Sequence, residues 1–131
     1  MSCVLDTHAL IWAFTGDSSL SPAAGRALAN ARRGEVLVSD VTLSEAARLI
    51  FAGRLLVQGD PGAWLASLAA YATIVPVVAE TAWRAAGLRW THRDPSDRQI
   101  VATALWHGAA LLTADRVITQ AAQALGLMVV W

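Results

Sequence analysis

Acidic side chains recur at points where short apolar segments of this sequence end. Asp6 directly follows the apolar segment at residues 3–5, and Asp115 comes two residues after the apolar segment at 110–113. Asp97 opens the amphipathic stretch that leads into the segment at 110–113. Carboxylates that converge from separate elements can hold Mg²⁺ or Mn²⁺, because these cations prefer oxygen ligands. Such a cation suits phosphodiester hydrolysis, since it lowers the pKa of a bound water and offsets charge that develops on the phosphate.

Each aspartate also has an ordinary explanation as a helix cap, because Asp is favoured at N-cap positions and near the positive end of the helix dipole. Asp60 and Asp94 each precede a proline and are predicted to be caps. Asp97 differs, because it leads an apolar stripe that should pack on a sheet. The stripe consists of Ile100, Val101, Ala104 and Leu105. We therefore expect the Asp97 carboxylate to overhang the edge of that sheet.

Glu45 interrupts the apolar face of a predicted helix, with Val41 and Leu49 one turn away on either side. A buried carboxylate without a partner is costly, and the chain has no lysine to pair with it. Two interpretations stay open: an arginine neutralises Glu45, or Glu45 joins Asp6 and the other strand-end acids. In the second case mutual repulsion would raise the pKa values of these acids unless a cation neutralises them.

The elements that would position these acids alternate between short strands and helices. Apolar strands are predicted at residues 3–5, 36–38, 73–78, 110–113 and 127–131. Helices are predicted at 8–14, 22 to about 34, about 40–52, 61–69, 80–90, 95–107 and 115–125. This pattern predicts an α/β protein, a three-layer α/β/α sandwich with a five-stranded parallel sheet. In such sheets ligands bind at the carboxyl ends of the strands.

The composition indicates one globular domain over residues 1–131. Hydrophobic residues make up 56% of the chain and charged residues 15%, which excludes a disordered chain. The single cysteine, Cys3, excludes a disulfide framework and a cysteine zinc cluster. No apolar run is long enough to span a bilayer and no signal segment opens the chain, so we expect no membrane association and a cytoplasmic location.

The ten cationic residues are all arginines and they balance ten acids. Without lysine the chain can form neither a P-loop nor a Schiff base. A net charge of zero also provides no overall attraction to nucleic acid, so any RNA contact must come from a local patch.

One candidate patch surrounds the turn at residues 89–98. It would consist of Arg89, His92, Arg93, Arg98 and Arg116. The alternative is that these side chains solvate helix ends or pair with the acids. Trp90, next to these arginines, is the one tryptophan whose position would allow it to stack on a base. The other tryptophans are predicted to lie in the core or in a dimer interface. These are Trp12, Trp64, Trp83, Trp106 and Trp131.

Two histidines outside this patch are predicted to have ordinary roles. His8 is expected to be solvated or hydrogen-bonded, and His107 to lie at the end of a helix, where it favours the dipole.

Five stretches follow one another in order along nearly the whole chain: VLDTHALIWAF, VSDVTLSEAARL, HRDPSDRQIVATAL, LLTAD and LMVVW. Together they resemble the PIN-domain family, in particular the VapC-type toxins of bacterial toxin–antitoxin pairs. The resemblance implies a five-stranded parallel sheet, an Mg²⁺- or Mn²⁺-dependent ribonuclease, a homodimer, and a cognate antitoxin that blocks the cleft.

The resemblance also implies which residues form the site. The acidic quartet of the family falls on Asp6, Glu45, Asp97 and Asp115, which would be both metal ligands and catalytic residues. Thr113 matches a hydroxyl that orients a carboxylate. The resulting hypothesis is a metal-dependent endoribonuclease, in which Asp6 and Asp97 hold the main metal while the other two acids complete a second site or orient the water.

The chain departs from the family pattern at Ser44, Leu49 and Ser96, which affects packing and RNA contacts but removes no predicted ligand. Two other functions are alternatives. A haloacid-dehalogenase-like phosphatase also has an Asp after its first strand, but it needs a second Asp at the position of His8 and a lysine. A non-catalytic binding module on the same fold is the other alternative.

Overall fold

A computed structural model describes residues 1–131, and its strands form one five-stranded sheet. The strands are β1 (Cys3–Leu5), β2 (Val36–Ser39), β3 (Thr73–Val75), β4 (Ala110–Leu112) and β5 (Val129–Val130). Their order is β3-β2-β1-β4-β5, and every neighbouring pair is parallel. The predicted five-stranded parallel sheet is confirmed. The order changes direction between β1 and β4, which is where parallel sheets open a crevice at their carboxyl ends.

Seven helices connect and cover the strands. They are α1 (Thr7–Thr15), α2 (Pro22–Asn30), α3 (Val41–Phe51), α4 (Pro61–Ala70), α5 (Ala79–Gly87), α6 (Pro95–Trp106) and α7 (Arg116–Leu125). No helix has the length and apolar character that crossing a membrane requires. Four elements differ most from their predicted bounds: β3, α2 and α5 end earlier, and β5 covers only two of the five predicted residues. Pro76 lacks a backbone donor and follows β3, a turn with Gly34 at φ 86° follows α2, and Leu88, whose backbone is extended, ends α5.

The core has two parts, one on each face of the sheet. Leu5 and Leu112 pack with residues of α1, α2, α3 and α4, whereas Val4 and Leu111 pack with residues of α6 and α7. Successive strand residues point to opposite faces, so strands covered on both sides must be apolar throughout. This explains why the strands read as continuous apolar runs.

Aspartates cap four of the helices as predicted. The carboxylates of Asp6, Asp60, Asp94 and Asp115 each accept a hydrogen bond from the first turn of the following helix. Asp40 stands at the N-cap position of α3, but its side chain makes no capping hydrogen bond. Its backbone is already helical, and its carboxylate instead accepts a hydrogen bond of 3.2 Å from Val77 N, in the connection after β3.

Candidate functional site

A cleft of about 500 Å³ opens at the carboxyl edge of the sheet, and all four predicted acids line it. These are Asp6, Glu45, Asp97 and Asp115, with Asp94 as a fifth carboxylate. The strand order explains the convergence, because Asp6 follows the central strand β1 and Asp115 follows its neighbour β4. The cleft is therefore strongly acidic.

Asp6 is the most buried of these acids, with 8% of its surface exposed. Its carboxylate accepts hydrogen bonds from Ala9 N at 2.9 Å and from the Thr113 hydroxyl. Burial raises the pKa of Asp6 to about 6, although both hydrogen bonds and nearby His8 favour the ionised form. The negative charge of Asp97 adds to the increase. Asp6 thus carries a charge that its surroundings only partly stabilise.

Thr113 joins the ends of the two strands that flank the cleft. Its fully buried hydroxyl donates to Asp6 and accepts from Asp115 N at 3.0 Å. The Asp115 carboxylate in turn accepts from Ile118 N at 3.0 Å, which caps α7. This single hydroxyl therefore couples the positions of two of the carboxylates.

Glu45 projects into the cleft from the middle of α3. Its carboxylate accepts a hydrogen bond of 2.7 Å from the Thr7 hydroxyl, at the start of α1. It forms no ion pair; the two ion pairs of the chain join Met1 to Glu35 and His92 to Asp97. Glu45 is therefore not neutralised by an arginine but lies with the other carboxylates in the cleft.

Asp97 lies in the first turn of α6, and the apolar stripe behind it packs inward as predicted, with Ile100, Val101 and Ala104 buried and Leu105 partly buried. His92 Nε2 lies 2.8 Å from its carboxylate. Burial raises the pKa of Asp97, and the charges of Asp94, Asp115 and Glu45 raise it further, while His92 acts in the opposite direction. The acids are therefore close enough to repel one another.

Asp94 combines a capping role with a place in the cleft. Its carboxylate accepts from Ser96 N at 2.9 Å and from Asp97 N at 3.1 Å. His92, Asp94 and Asp97 each offer one possible metal-ligand atom, and these three atoms lie within 4.8 Å of one another.

Residues 3–124 match the family model of the PIN domain. This chain belongs to the PIN-domain family. It is 33% identical to Ribonuclease VapC22 of Mycobacterium tuberculosis over 114 residues, which cover 86% of each protein. Two solved structures are similar to this PIN domain. A toxin–antitoxin complex from Klebsiella pneumoniae has a TM-score of 0.63 at 22% identity, covering 97% of this chain and 96% of the other. VapBC-1 from nontypeable Haemophilus influenzae has a TM-score of 0.72 at 14% identity, covering 98% and 96%.

The predicted basic patch of this PIN domain does not line the cleft. Arg98 is committed to backbone carbonyls through five hydrogen bonds, so it is not free to bind phosphate. Arg93 and Arg116 are exposed and do not line the cleft, and Arg89 borders a different depression, beside Trp83. The hypothesis of a rim made of these arginines is wrong for Arg98 and finds no support in the cleft.

Arg54 is the arginine that lines the cleft, and sequence reasoning missed it. It is exposed and follows Gly53, whose φ of 70° turns the chain back at the end of α3. The backbone N of Arg54 donates to Leu49 O at 2.9 Å, which returns the residue toward the helix that carries Glu45. The sequence signal was a helix-ending glycine directly before an arginine.

The tryptophans occupy three kinds of place. Trp12, Trp64 and Trp131 pack against the core as predicted. Trp12 also lines the cleft, where its ring lies 5.6 Å from the His8 ring and 5.7 Å from the Trp131 ring. Trp90, the tryptophan considered for base stacking, packs against the core and the His92 ring and does not line the cleft. Trp83 is 84% exposed, so it does not belong to the core.

Proposed function

We propose that this PIN domain, residues 1–131, is an Mg²⁺- or Mn²⁺-dependent endoribonuclease and the toxin of a toxin–antitoxin pair. The observation that carries the proposal is the convergence of four carboxylates from four separate elements in one cleft, none of them paired with an arginine. The similarity to a curated ribonuclease of the same family supports the choice of RNA as substrate.

The residues of the cleft fit a divalent cation. Its acids offer oxygen donors, the ligands that Mg²⁺ and Mn²⁺ prefer, and no cysteine is present among them. The raised pKa values of Asp6 and Asp97 indicate negative charge in need of compensation. We assign Asp6 and Asp97 as the main ligands, with Glu45 and Asp115 completing the site. A bound cation supplies Lewis acidity, which activates water and offsets charge on the phosphate.

Other side chains orient three of the four carboxylates. Asp6 is held by Thr113 and Ala9 N, Glu45 by Thr7, and Asp97 by His92. Such orientation fixes the carboxylates before substrate arrives, which is what catalysis by positioning requires. Glu45 or Asp115 would orient the water that attacks phosphorus. The bond from phosphorus to the 3′ oxygen then breaks, leaving a 5′-phosphate and a 3′-hydroxyl.

Arg54 is the residue that we propose to contact the RNA backbone. It is exposed at the cleft, forms no ion pair, and can offer a planar pair of donors to phosphate oxygens. Since the chain has no net charge, this local cation beside the acids would provide the attraction that the whole molecule lacks.

The proposed partners are an antitoxin and a second copy of this chain, with the cytoplasm as the compartment. A toxin–antitoxin complex among the structures of this fold supports the antitoxin. Exposed Trp83 and Trp106 are candidates for a dimer interface. Light scattering of the purified protein tests the dimer: a monomer at micromolar concentration contradicts it.

The decisive experiment is cleavage of a mixed pool of structured RNAs by purified protein with Mg²⁺, with Mn²⁺ and with EDTA. Asp6→Asn and Asp97→Asn should each reduce the rate by about 100-fold or more, since even residues that only orient ligands affect metal sites 10- to 100-fold. Asp60→Asn is the matched control, because Asp60 is also a helix cap but lies outside the cleft.

Each result has a clear meaning. Metal-dependent cutting that both cleft variants lose and Asp60→Asn retains supports the nuclease. Equal cutting by all proteins indicates a contaminant and removes the support. Absence of cutting after removal of any bound antitoxin contradicts a general ribonuclease and favours a binding module.

A further inference from the structure

Arg98 has an unusual set of contacts for an arginine that directly follows a proposed metal ligand. All five of its N–H donors are used, each by a different backbone carbonyl, at distances of 2.8–3.0 Å. The acceptors are the carbonyl oxygens of Ala85, Ala86, Leu88, Trp90 and His92. One side chain thus binds the backbone of five of the eight residues in the segment 85–92.

The first of these acceptors belong to the end of α5. The last carbonyls of a helix have no partner within it, and a cation placed there is favoured by the dipole. Arg98 Nε donates to Ala85 O at 2.9 Å and Nη2 to Ala86 O at 3.0 Å. These contacts alone would make Arg98 a cap that joins α5 to α6.

The remaining acceptors continue beyond the helix to the residue that contacts Asp97. Arg98 Nη1 donates to both Trp90 O and His92 O at 2.9 Å. The Trp90 ring lies 4.8 Å from the His92 ring, and His92 Nε2 lies 2.8 Å from the Asp97 carboxylate. The backbone that carries the imidazole is therefore fixed by the residue next to Asp97 itself.

We propose that Arg98 is a positioning residue for Asp97, acting through the segment 85–92 and the His92 ring. The proposal rests on the proposed function in one respect, namely that Asp97 is a metal ligand. A conformationally fixed His92 holds the carboxylate in one orientation, so the ligand does not have to be reoriented when the cation binds. Arg98 contributes to metal affinity without touching the metal or the RNA.

The test measures Mn²⁺ binding directly, by titration calorimetry and by electron paramagnetic resonance, without RNA. Arg98→Lys keeps the charge but has only three donors for five carbonyls. It should raise the dissociation constant about 10-fold, and His92→Ala should do the same. Arg98 and His92 act through one chain of contacts, so their effects should not add. The double variant should therefore have a dissociation constant for Mn²⁺ no higher than that of the more impaired single variant.

Arg116→Lys is the matched control, since Arg116 directly follows Asp115 but is exposed and outside the cleft. It should bind Mn²⁺ like the wild type. In cleavage assays Arg98→Lys should raise the Mn²⁺ concentration for half-maximal rate while leaving the KM for RNA unchanged. A purely structural role would lower the thermal midpoint without this selective change.

Three results would overturn the proposal. The first is a folded Arg98→Lys with wild-type Mn²⁺ affinity. The second is a His92→Ala variant with wild-type Mn²⁺ affinity. This variant tests the proposal even if the Arg98 variant does not fold, because the His92 ring is partly exposed and its removal leaves the five backbone contacts of Arg98 in place. The third is a wild-type protein that binds no Mn²⁺ at all, which refutes the proposed metal site itself and is thereby distinguishable from the other two.

Discussion

Replacing Asp6 by asparagine should stabilise this protein at neutral pH when no divalent cation is present. Asp6 is 8% exposed and burial raises its pKa to about 6. The folded protein therefore binds more protons than the unfolded chain between about pH 4 and pH 6, and its free energy of unfolding falls as the pH rises through that window. Asparagine has no charge to desolvate, so the variant avoids this loss.

The change in the free energy of unfolding can be derived from the pKa of Asp6 and from its hydrogen bonds. Raising an aspartate pKa from 3.8 to about 6 corresponds to about 3 kcal/mol. Asparagine can still accept the hydrogen bond from Ala9 N, but its NH₂ group cannot accept the bond that the Thr113 hydroxyl donates to Asp6 Oδ2. The loss of that hydrogen bond costs about 1 kcal/mol. The net expectation at pH 7.5 is about 2 kcal/mol in favour of Asp6→Asn, and at pH 4 about 1 kcal/mol in favour of the wild type.

The assay is urea unfolding of both proteins in EDTA at several pH values between 4 and 7.5. At pH 7.5 the advantage of Asp6→Asn corresponds to a thermal midpoint higher by about 8 °C, since ~1 kcal/mol is worth about 4 °C in a domain of this size. Asp60→Asn, in an exposed cap, serves as control and should show no such pH-dependent gain. A difference that does not change with pH, or a variant less stable at pH 7.5, would refute the reasoning.

Three further predictions concern the same cleft. Mg²⁺ should raise the thermal midpoint of the wild type at pH 7.5 and do so less at pH 5, because protonation of Asp6 competes with the cation; an equal increase in Asp6→Asn would contradict this. Thr113→Val should lower the free energy of unfolding by about 2 kcal/mol in urea titrations, since it removes the partner of both Asp6 and Asp115 N, whereas Thr113→Ser should retain most of the stability. Arg54→Gln should raise the KM for RNA about 10-fold in cleavage assays without changing Mn²⁺ affinity, and equal effects of Arg93→Gln, on an exposed residue outside the cleft, would argue against a specific contact.

The contacts of the arginines could not be predicted from the sequence. Arg98 and Arg116 each directly follow a predicted ligand, and the sequence treats them alike. In the fold Arg98 donates to the carboxyl end of α5 and to the segment that follows it as far as His92, while Arg116 is exposed. The difference depends on which element packs beside each helix, and α5 packs beside α6.

For the tryptophans too, position in the sequence did not predict the environment of the side chain. Trp90 is near the arginines in sequence yet packs inside, whereas Trp12 follows Asp6 by almost two helical turns and lines the cleft. A helix of nine residues presents several faces, and the sequence does not state which of them borders an opening.

The parallel sheet and the acids at its carboxyl edge were predictable from the pattern of residues along the chain, although the place of Glu45 was open. Strands covered on both faces must be apolar, so the runs were recognisable, and parallel strands bring their carboxyl ends to one edge, so Asp6 and Asp115 had to lie near each other. The groups that hold those acids in place became apparent only in the folded chain. The Thr7 hydroxyl on Glu45 and the His92 ring on Asp97 are contacts between side chains whose directions are fixed by packing across elements, and no local pattern encodes that.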